Sequence, residues 1–118
     1  MPRSDLDHLR LPLRQFAADR DWDQFHSPKN LAMALTAEAG ELLEQFQWLT
    51  ESESSNPDTQ KREAIADELA DVFIYLIRLA DKLDIDLIEA AFRKIEKNAE
   101  KYPADRVRGS MKKYNEYD

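Results

Sequence analysis

Residues 28–50, PKNLAMALTAEAGELLEQFQWLT, carry the pattern that decides the fold. Their largest apolar side chains recur at spacings of three, four and seven residues, at Leu31, Leu35, Leu42, Phe46 and Leu49. Such spacing places side chains on one face of an α-helix. Ser27 can cap this helix through its hydroxyl, and Pro28 suits the first turn, where an amide hydrogen would have no partner. The stretch therefore predicts an amphipathic helix from Pro28 to about Thr50.

The same periodicity predicts three further helices, at about residues 4–20, 56–83 and 86–101. Their apolar stripes are Leu6, Leu9, Leu13 and Phe16 in the first, Ile65, Leu69, Val72, Leu76, Leu79 and Leu83 in the third, and Ile88, Phe92 and Ile95 in the fourth. The chain has only two glycines and no convincing alternating β pattern. The sequence therefore predicts an all-α protein built from four helices.

The segments between these helices also carry local signals. Residues 51–59 are polar and include serine, asparagine and proline, which predicts a loop. Asn56 and Pro57 are the expected cap and first-turn residue of the third helix. Asp86 with Glu89 resembles a capping box that opens the fourth helix.

Composition excludes several function classes. The 118 residues, 42% of them hydrophobic, predict one domain over 1–118, with a core of about 4–102 and a tail at 103–118. A formal net charge of -7 argues against a nucleic acid polymer as partner, and the absence of cysteine excludes thiolate metal sites and cysteine nucleophiles. No apolar run is long enough to span a membrane and the amino terminus lacks a secretory hydrophobic region, so we expect a cytoplasmic protein.

Two acidic pairs, Glu38 with Glu41 and Glu68 with Asp71, are the candidate metal site. Spacing alone does not distinguish them, because about five such pairs are expected by chance and five occur. Their position does distinguish them: on a helical wheel each pair lies inside or beside an apolar stripe, with no obvious basic partner. Solvated acids beside the core are the alternative for any single pair. Two pairs on consecutive helices favour a shared pocket if those helices lie antiparallel.

The ligand types indicate which metal such a pocket would hold. These helices contain no histidine at the candidate positions, whereas zinc sites and di-iron bundles use histidine or cysteine. Oxygen ligands alone suit Mg²⁺, with Mn²⁺ also possible. Because Mg²⁺ in proteins often binds a few carboxylates together with substrate phosphates, we expect a phosphate-bearing substrate.

The same residues resemble a known family, the all-alpha nucleotide pyrophosphohydrolases that include MazG and a dCTP pyrophosphatase branch. The resemblance rests on Glu38-Ala39-Gly40-Glu41, followed after about 26 residues by Glu68-Leu69-Ala70-Asp71. It extends from Phe16 to Tyr114, through Arg20-Asp21-Trp22, Phe25-His26, residues 40–48 and 71–79, Lys97-Asn98 and Lys101-Tyr102-Pro103.

This resemblance implies a four-helix MazG-like subunit whose active sites are completed by oligomerisation, as a homotetramer or a dimer. It implies Mg²⁺-dependent hydrolysis of a nucleoside triphosphate to monophosphate and pyrophosphate, with Glu38, Glu41, Glu68 and Asp71 as catalytic metal ligands. In the dCTP branch, aromatic residues hold the base. These carry over to Trp22 and Trp48, with Tyr75 nearby, and Asn98, Lys113 and Tyr114 match family positions near the nucleotide. His26 and Lys101 are further substrate-binding candidates, Lys101 because it lies with Lys94 and Asn98 along a margin of the fourth helix that can contact phosphates. Leu13 stands where the relatives have a histidine, which bears on base preference.

Several of these residues have a second interpretation from the sequence alone. Trp48 and Tyr75 lie beside the acidic edges, where a core role is equally open, and His26 is as well suited to stabilising a turn. The margin formed by Asn98 and Lys101 is also typical of a solvated helix edge. A broad-specificity MazG-type hydrolase and a non-catalytic helical interaction protein remain the alternative functions. Apolar residues outside the stripes, Met33, Leu43 and Ile74, predict a second buried surface.

Overall fold

The computed structural model describes residues 5–109, and this part of the chain contains helices and no β-strand. The helices are α1 (Asp5–Asp19), α2 (Pro28–Glu44), α3 (Glu51–Ser55), α4 (Thr59–Lys82), α5 (Leu87–Lys101) and α6 (Ala104–Val107). A single 3-10 turn, Asp23–Phe25, lies between α1 and α2. The predicted all-α class is confirmed, and the four long helices α1, α2, α4 and α5 correspond to the four that the periodicity predicts. None of these helices is long and apolar enough to cross a membrane.

Helices α1 to α4 belong to one compact unit, which ends at Asp84, and α4 packs against both α2 and α1. The most buried apolar side chains of this unit are Ala17, Leu31, Ile65, Ile77 and Ala80. Packing on two neighbours explains an error in the predicted stripe of α4. Leu69 and Leu83 are 53% and 49% exposed, whereas Ile77 and Ala80 are buried, because the second packing face of α4 draws on residues outside the single stripe.

The helix boundaries between α2 and α4 differ from the prediction. Helix α2 ends at Glu44, where hydrogen bonds from the amides of Gln45 and Phe46 tighten the last turn. The predicted loop contains α3, which a reciprocal capping box opens: Thr50 Oγ1 accepts from the amide of Glu53, and Glu53 Oε1 accepts from the amide of Thr50. The sequence pattern of a threonine followed three residues later by a glutamate could have revealed this helix.

The caps of the longer helices are partly as expected. Ser27 Oγ accepts from the amide of Asn30 at 3.1 Å, which confirms the predicted start of α2. The cap of α4 is Asp58, not Asn56, because the Asp58 carboxylate accepts from the amide of Lys61 at 2.8 Å. Pro57 consequently precedes the helix.

The second compact unit begins at Ile85 and contains α5 and α6. Asp86 caps α5 as predicted, accepting from the amide of Glu89 at 3.0 Å. The apolar stripe of α5 is largely exposed, at 46%, 66% and 63% for Ile88, Phe92 and Ile95. Within residues 5–109, the stripe of α5 therefore presents a large apolar area to solvent.

Candidate metal centre and substrate site

Three of the four candidate carboxylates meet between α2 and α4. Glu38 and Glu41 lie one turn apart on α2, and Glu68 lies on α4. One carboxylate oxygen of each residue lies within 4.8 Å of the others. The packing of α2 against α4 thus brings together side chains that are distant in sequence, as the two acidic pairs led us to expect.

Burial and mutual repulsion raise the pKa of two of these carboxyl groups. Burial raises the pKa of Glu38 to about 7, and a hydrogen bond with Glu41 and repulsion from Glu41, Asp71 and Glu68 add to this effect. Burial also raises the pKa of Glu68, with repulsion from Glu41 and Asp71. Asp71 is outside the group of three close oxygens, yet it acts electrostatically on both glutamates. All four candidate residues therefore share one electrostatic environment.

The donor set fits a hard divalent cation. The Oε2 atoms of Glu38 and Glu68 are buried without a hydrogen-bond partner, a condition that is costly for carboxylate oxygens. Within residues 5–109, no lysine or arginine forms an ion pair with any of the four acids. A bound Mg²⁺ would satisfy these oxygens and compensate the clustered negative charge.

Trp22 lies in the turn between α1 and α2 and is 44% exposed. The ring of Phe16 meets it edge-on, with centroids 5.8 Å apart, and the His26 ring lies 6.5 Å away. Part of the indole therefore rests on protein while the remainder is open to a ligand. His26 is half-buried and its Nδ1 lies 3.2 Å from Arg78 Nη2.

The structure separates the two interpretations of Trp48. This residue follows α2 and is 86% exposed, so it does not belong to the core of the single chain. Tyr75 is half-buried on α4, one turn beyond Asp71. Tyr75 thus lies on a helix that carries two of the candidate acids, while Trp48 lies in the segment after α2, exposed to solvent.

The remaining predicted site residues lie beyond the first compact unit. Asn98 and Lys101 are exposed on α5. Lys113 and Tyr114 lie outside the described residues. Arg78 was not among the candidates selected from the sequence. This arginine lies on α4, is only 4% exposed and contacts the turn that carries Trp22. Its signal in the sequence is a lone arginine within an apolar run, Ile77-Arg78-Leu79-Ala80.

Comparison with known proteins gives consistent results. The MazG-like family profile matches residues 33–117. Human dCTP pyrophosphatase 1 is 44% identical over 117 residues, which cover 98% of this chain and 69% of that protein. The dCTP pyrophosphatase 1 of Bos taurus is 42% identical over 113 residues, covering 94% of this chain and 67% of that protein.

A solved structure also relates this chain to pyrophosphatases. The crystal structure of a pyrophosphatase from Archaeoglobus fulgidus superimposes with a TM-score of 0.80 at 40% sequence identity. The match covers 87% of this chain and 96% of the archaeal chain. Sequence identity of this level, together with the profile match, shows common descent with pyrophosphatases. The chain belongs to the MazG-like family.

Proposed function

We propose that this chain is a single-domain, Mg²⁺-dependent nucleoside triphosphate pyrophosphohydrolase that releases a nucleoside monophosphate and pyrophosphate. The observation that carries the proposal is the meeting of Glu38, Glu41 and Glu68 beside Asp71, with two buried oxygens left without partners. Homology to pyrophosphatases supports the reaction type. The negatively charged carboxylates alone would repel a triphosphate. A cation is therefore needed for the triphosphate to bind beside them.

In this mechanism Glu38, Glu41, Glu68 and Asp71 would hold the Mg²⁺ ion. The chemistry supplied by bound Mg²⁺ is neutralisation of phosphate charge and activation of the attacked phosphorus. Glu38 or Glu41 orients the attacking water and accepts its proton. The water oxygen bonds to the α-phosphorus, the bond from that phosphorus to the α,β-bridging oxygen breaks, and pyrophosphate leaves.

We further propose that dCTP or a modified dCTP is the preferred substrate. The support comes from relatives that are named dCTP pyrophosphatase 1 and from the exposure of Trp22 and Trp48. Stacking on an aromatic ring is worth about 1–3 kcal/mol but accepts any base, so discrimination needs additional contacts to the base edge. Leu13, in place of a histidine, keeps broad-specificity hydrolysis as the second candidate.

The proposed assembly is a homotetramer, with a dimer as the alternative. Met33, Leu43 and Ile74 are 55%, 61% and 36% exposed, as expected for residues that need a second surface. The open stripe of α5 adds to this apolar area. Surfaces of this kind on a single chain are typical of subunit contacts. A monomer mass by light scattering at micromolar concentration would contradict the proposed assembly.

The function is tested by incubating the purified protein with each of the four dNTPs and four NTPs and Mg²⁺, and by measuring pyrophosphate. A preference for dCTP is expected, and equal kcat/KM for all bases would leave the broad-specificity alternative. In Trp48→Ala, loss of stacking should lower kcat/KM for dCTP by about tenfold. An unchanged value would remove Trp48 from the base site.

A further inference from the structure

The turn from Asp21 to His26, hereafter the Trp22 turn, is anchored on three sides. The amide of Trp22 donates to Ala17 O at 2.9 Å, which fixes the turn to the end of α1. Asn30 Nδ2 donates to Phe25 O at 3.0 Å, which fixes it to the start of α2. These two anchors hold the ends of the turn.

The third anchor comes from α4, and it is charged. Arg78 Nη2 donates to Asp23 Oδ1 at 3.1 Å and to His26 Nδ1 at 3.2 Å. One turn later on α4, Lys82 Nζ donates to the same Asp23 oxygen at 2.6 Å. Both contacts lie close to Trp22, because Asp23 follows it directly and the His26 ring lies 6.5 Å from the indole. The orientation of Trp22 is thus tied to α4, the helix that carries Glu68.

The contact with Arg78 also determines the tautomer of His26. A guanidinium can only donate hydrogen bonds, so His26 Nδ1 must be the acceptor and the ring hydrogen lies on Nε2. Burial, followed by the charge of Arg78, lowers the pKa of His26, and Lys82 acts in the same direction against the opposing charge of Asp23. His26 is therefore held neutral, with Nε2–H available to donate.

Stability alone gives little reason for a buried arginine here. Arg78 is 4% exposed and its Nε has no hydrogen-bond partner, although Asp81 Oδ2 lies 3.8 Å from Nη1. Buried ion pairs are often replaceable by apolar side chains without loss of stability, whereas they do fix geometry. Nη2 of Arg78 donates to two residues of one short turn, Asp23 and His26.

We propose that Arg78 is a positioning residue for substrate binding, which holds Trp22 and the Nε2–H tautomer of His26 in fixed geometry relative to the metal-bearing helix. This inference rests on the proposed function, since it assumes that Trp22 contacts the base. Arg78 itself does not act on the reacting phosphate. Its loss should weaken nucleotide binding more than the chemical step.

The principal test compares Arg78→Met with Arg62→Met, a matched change at an exposed arginine of the same helix. In Arg78→Met, KM for dCTP should rise about tenfold while kcat changes less than about threefold, because ground-state positioning is lost. NMR of labelled histidine and tryptophan should show loss of the Nε2–H preference and a weaker contact between the Trp22 and His26 rings. Arg62→Met should match the wild type in KM and kcat, in the tautomer of His26 and in the contact between the two rings.

Asp23→Asn provides a second route if Arg78→Met does not fold. The Asp23 side chain is 62% exposed. This change keeps Arg78 but removes the charge of Asp23 and so weakens the ion pair between Arg78 and the turn. KM should rise in the same direction by a smaller factor. Unchanged KM and unchanged ring signals in the variants, or a fall in kcat with constant KM, would overturn the proposal. If the wild type hydrolyses no nucleotide, the proposed function fails, while the NMR signals still decide whether Arg78 orients the turn.

Discussion

Two groups of charged residues on α4 show opposite electrostatic behaviour. At Glu68, acids from α2 and α4 meet, none of them paired with a basic residue in the described part of the chain, and the pKa values of Glu38 and Glu68 are raised. Toward the other end of α4, Asp81 receives both Nε and Nη2 of Arg14, and its pKa is lowered, chiefly by that hydrogen bond. Compensated charge at Asp81 stabilises the packing of α1 on α4, whereas the clustered negative charge at Glu68 is what the proposed cation would compensate.

The largest expected effect is the loss of turnover when the acid cluster loses a carboxylate. Glu41→Gln and Asp71→Asn remove ligand charge at nearly constant volume, so each should lower kcat by at least about a hundredfold while helical content stays unchanged. Pyrophosphate release and circular dichroism are the measurements. Near wild-type turnover in both variants would show that the acid cluster is not the active site.

The next largest effect is on stability at the compensated end. Asp81→Asn leaves Arg14 and Arg78 without their shared carboxylate, whose side chain is 9% exposed, and should lower the free energy of unfolding by about 2–4 kcal/mol. Denaturant titration at neutral pH measures this. Glu38→Gln is the matched change in the acid cluster, and without metal it should raise the melting temperature, because it removes repulsion. A loss of stability in Glu38→Gln would contradict the proposed contrast.

The pH dependence of stability should distinguish the two groups further. Because the pKa of Glu38 is raised from 4.5 to about 7, the folded state binds more protons than the unfolded state between these values. Its contribution therefore makes the metal-free protein less stable as pH rises across that range. Asp81 has the opposite effect on the pH dependence. Because its pKa is lowered from 3.8, its stabilising contribution is present above pH 3.8 and is lost as pH falls below that value.

Thermal melting in EDTA, across this range of pH, measures the slope. Glu38→Gln should reduce it, and excess Mg²⁺ should both raise the melting temperature and reduce the slope, because the cation favours ionised carboxylates. An identical slope in wild type and Glu38→Gln would show that Glu38 does not titrate as proposed.

The sequence predicted the helices better than their contacts, for physical reasons. Periodicity identified the long helices and the apolar edges where Glu38 and Glu68 lie, because it depends on local geometry. It misplaced part of the core of α4, since a single stripe cannot represent a helix with two neighbours. The meeting of Glu38, Glu41 and Glu68 depended on an assumed packing of α2 and α4. A lone arginine in an apolar run marks Arg78 in the sequence, but its partners in the Trp22 turn were not predictable, since they are distant in sequence.

Gly40 adds a consequence concerning helix propensity. It lies inside α2, where glycine costs about 1 kcal/mol relative to alanine, and apart from its own helix a Cβ there would meet no atom of residues 5–109 within 4 Å. Gly40→Ala should therefore raise the melting temperature of an isolated subunit. Met33 and Leu43, both exposed, lie seven residues before and three residues after Gly40, so all three share one face of α2. If Gly40→Ala instead dissociates the oligomer in light scattering, the missing Cβ is what allows a second subunit's backbone to approach α2.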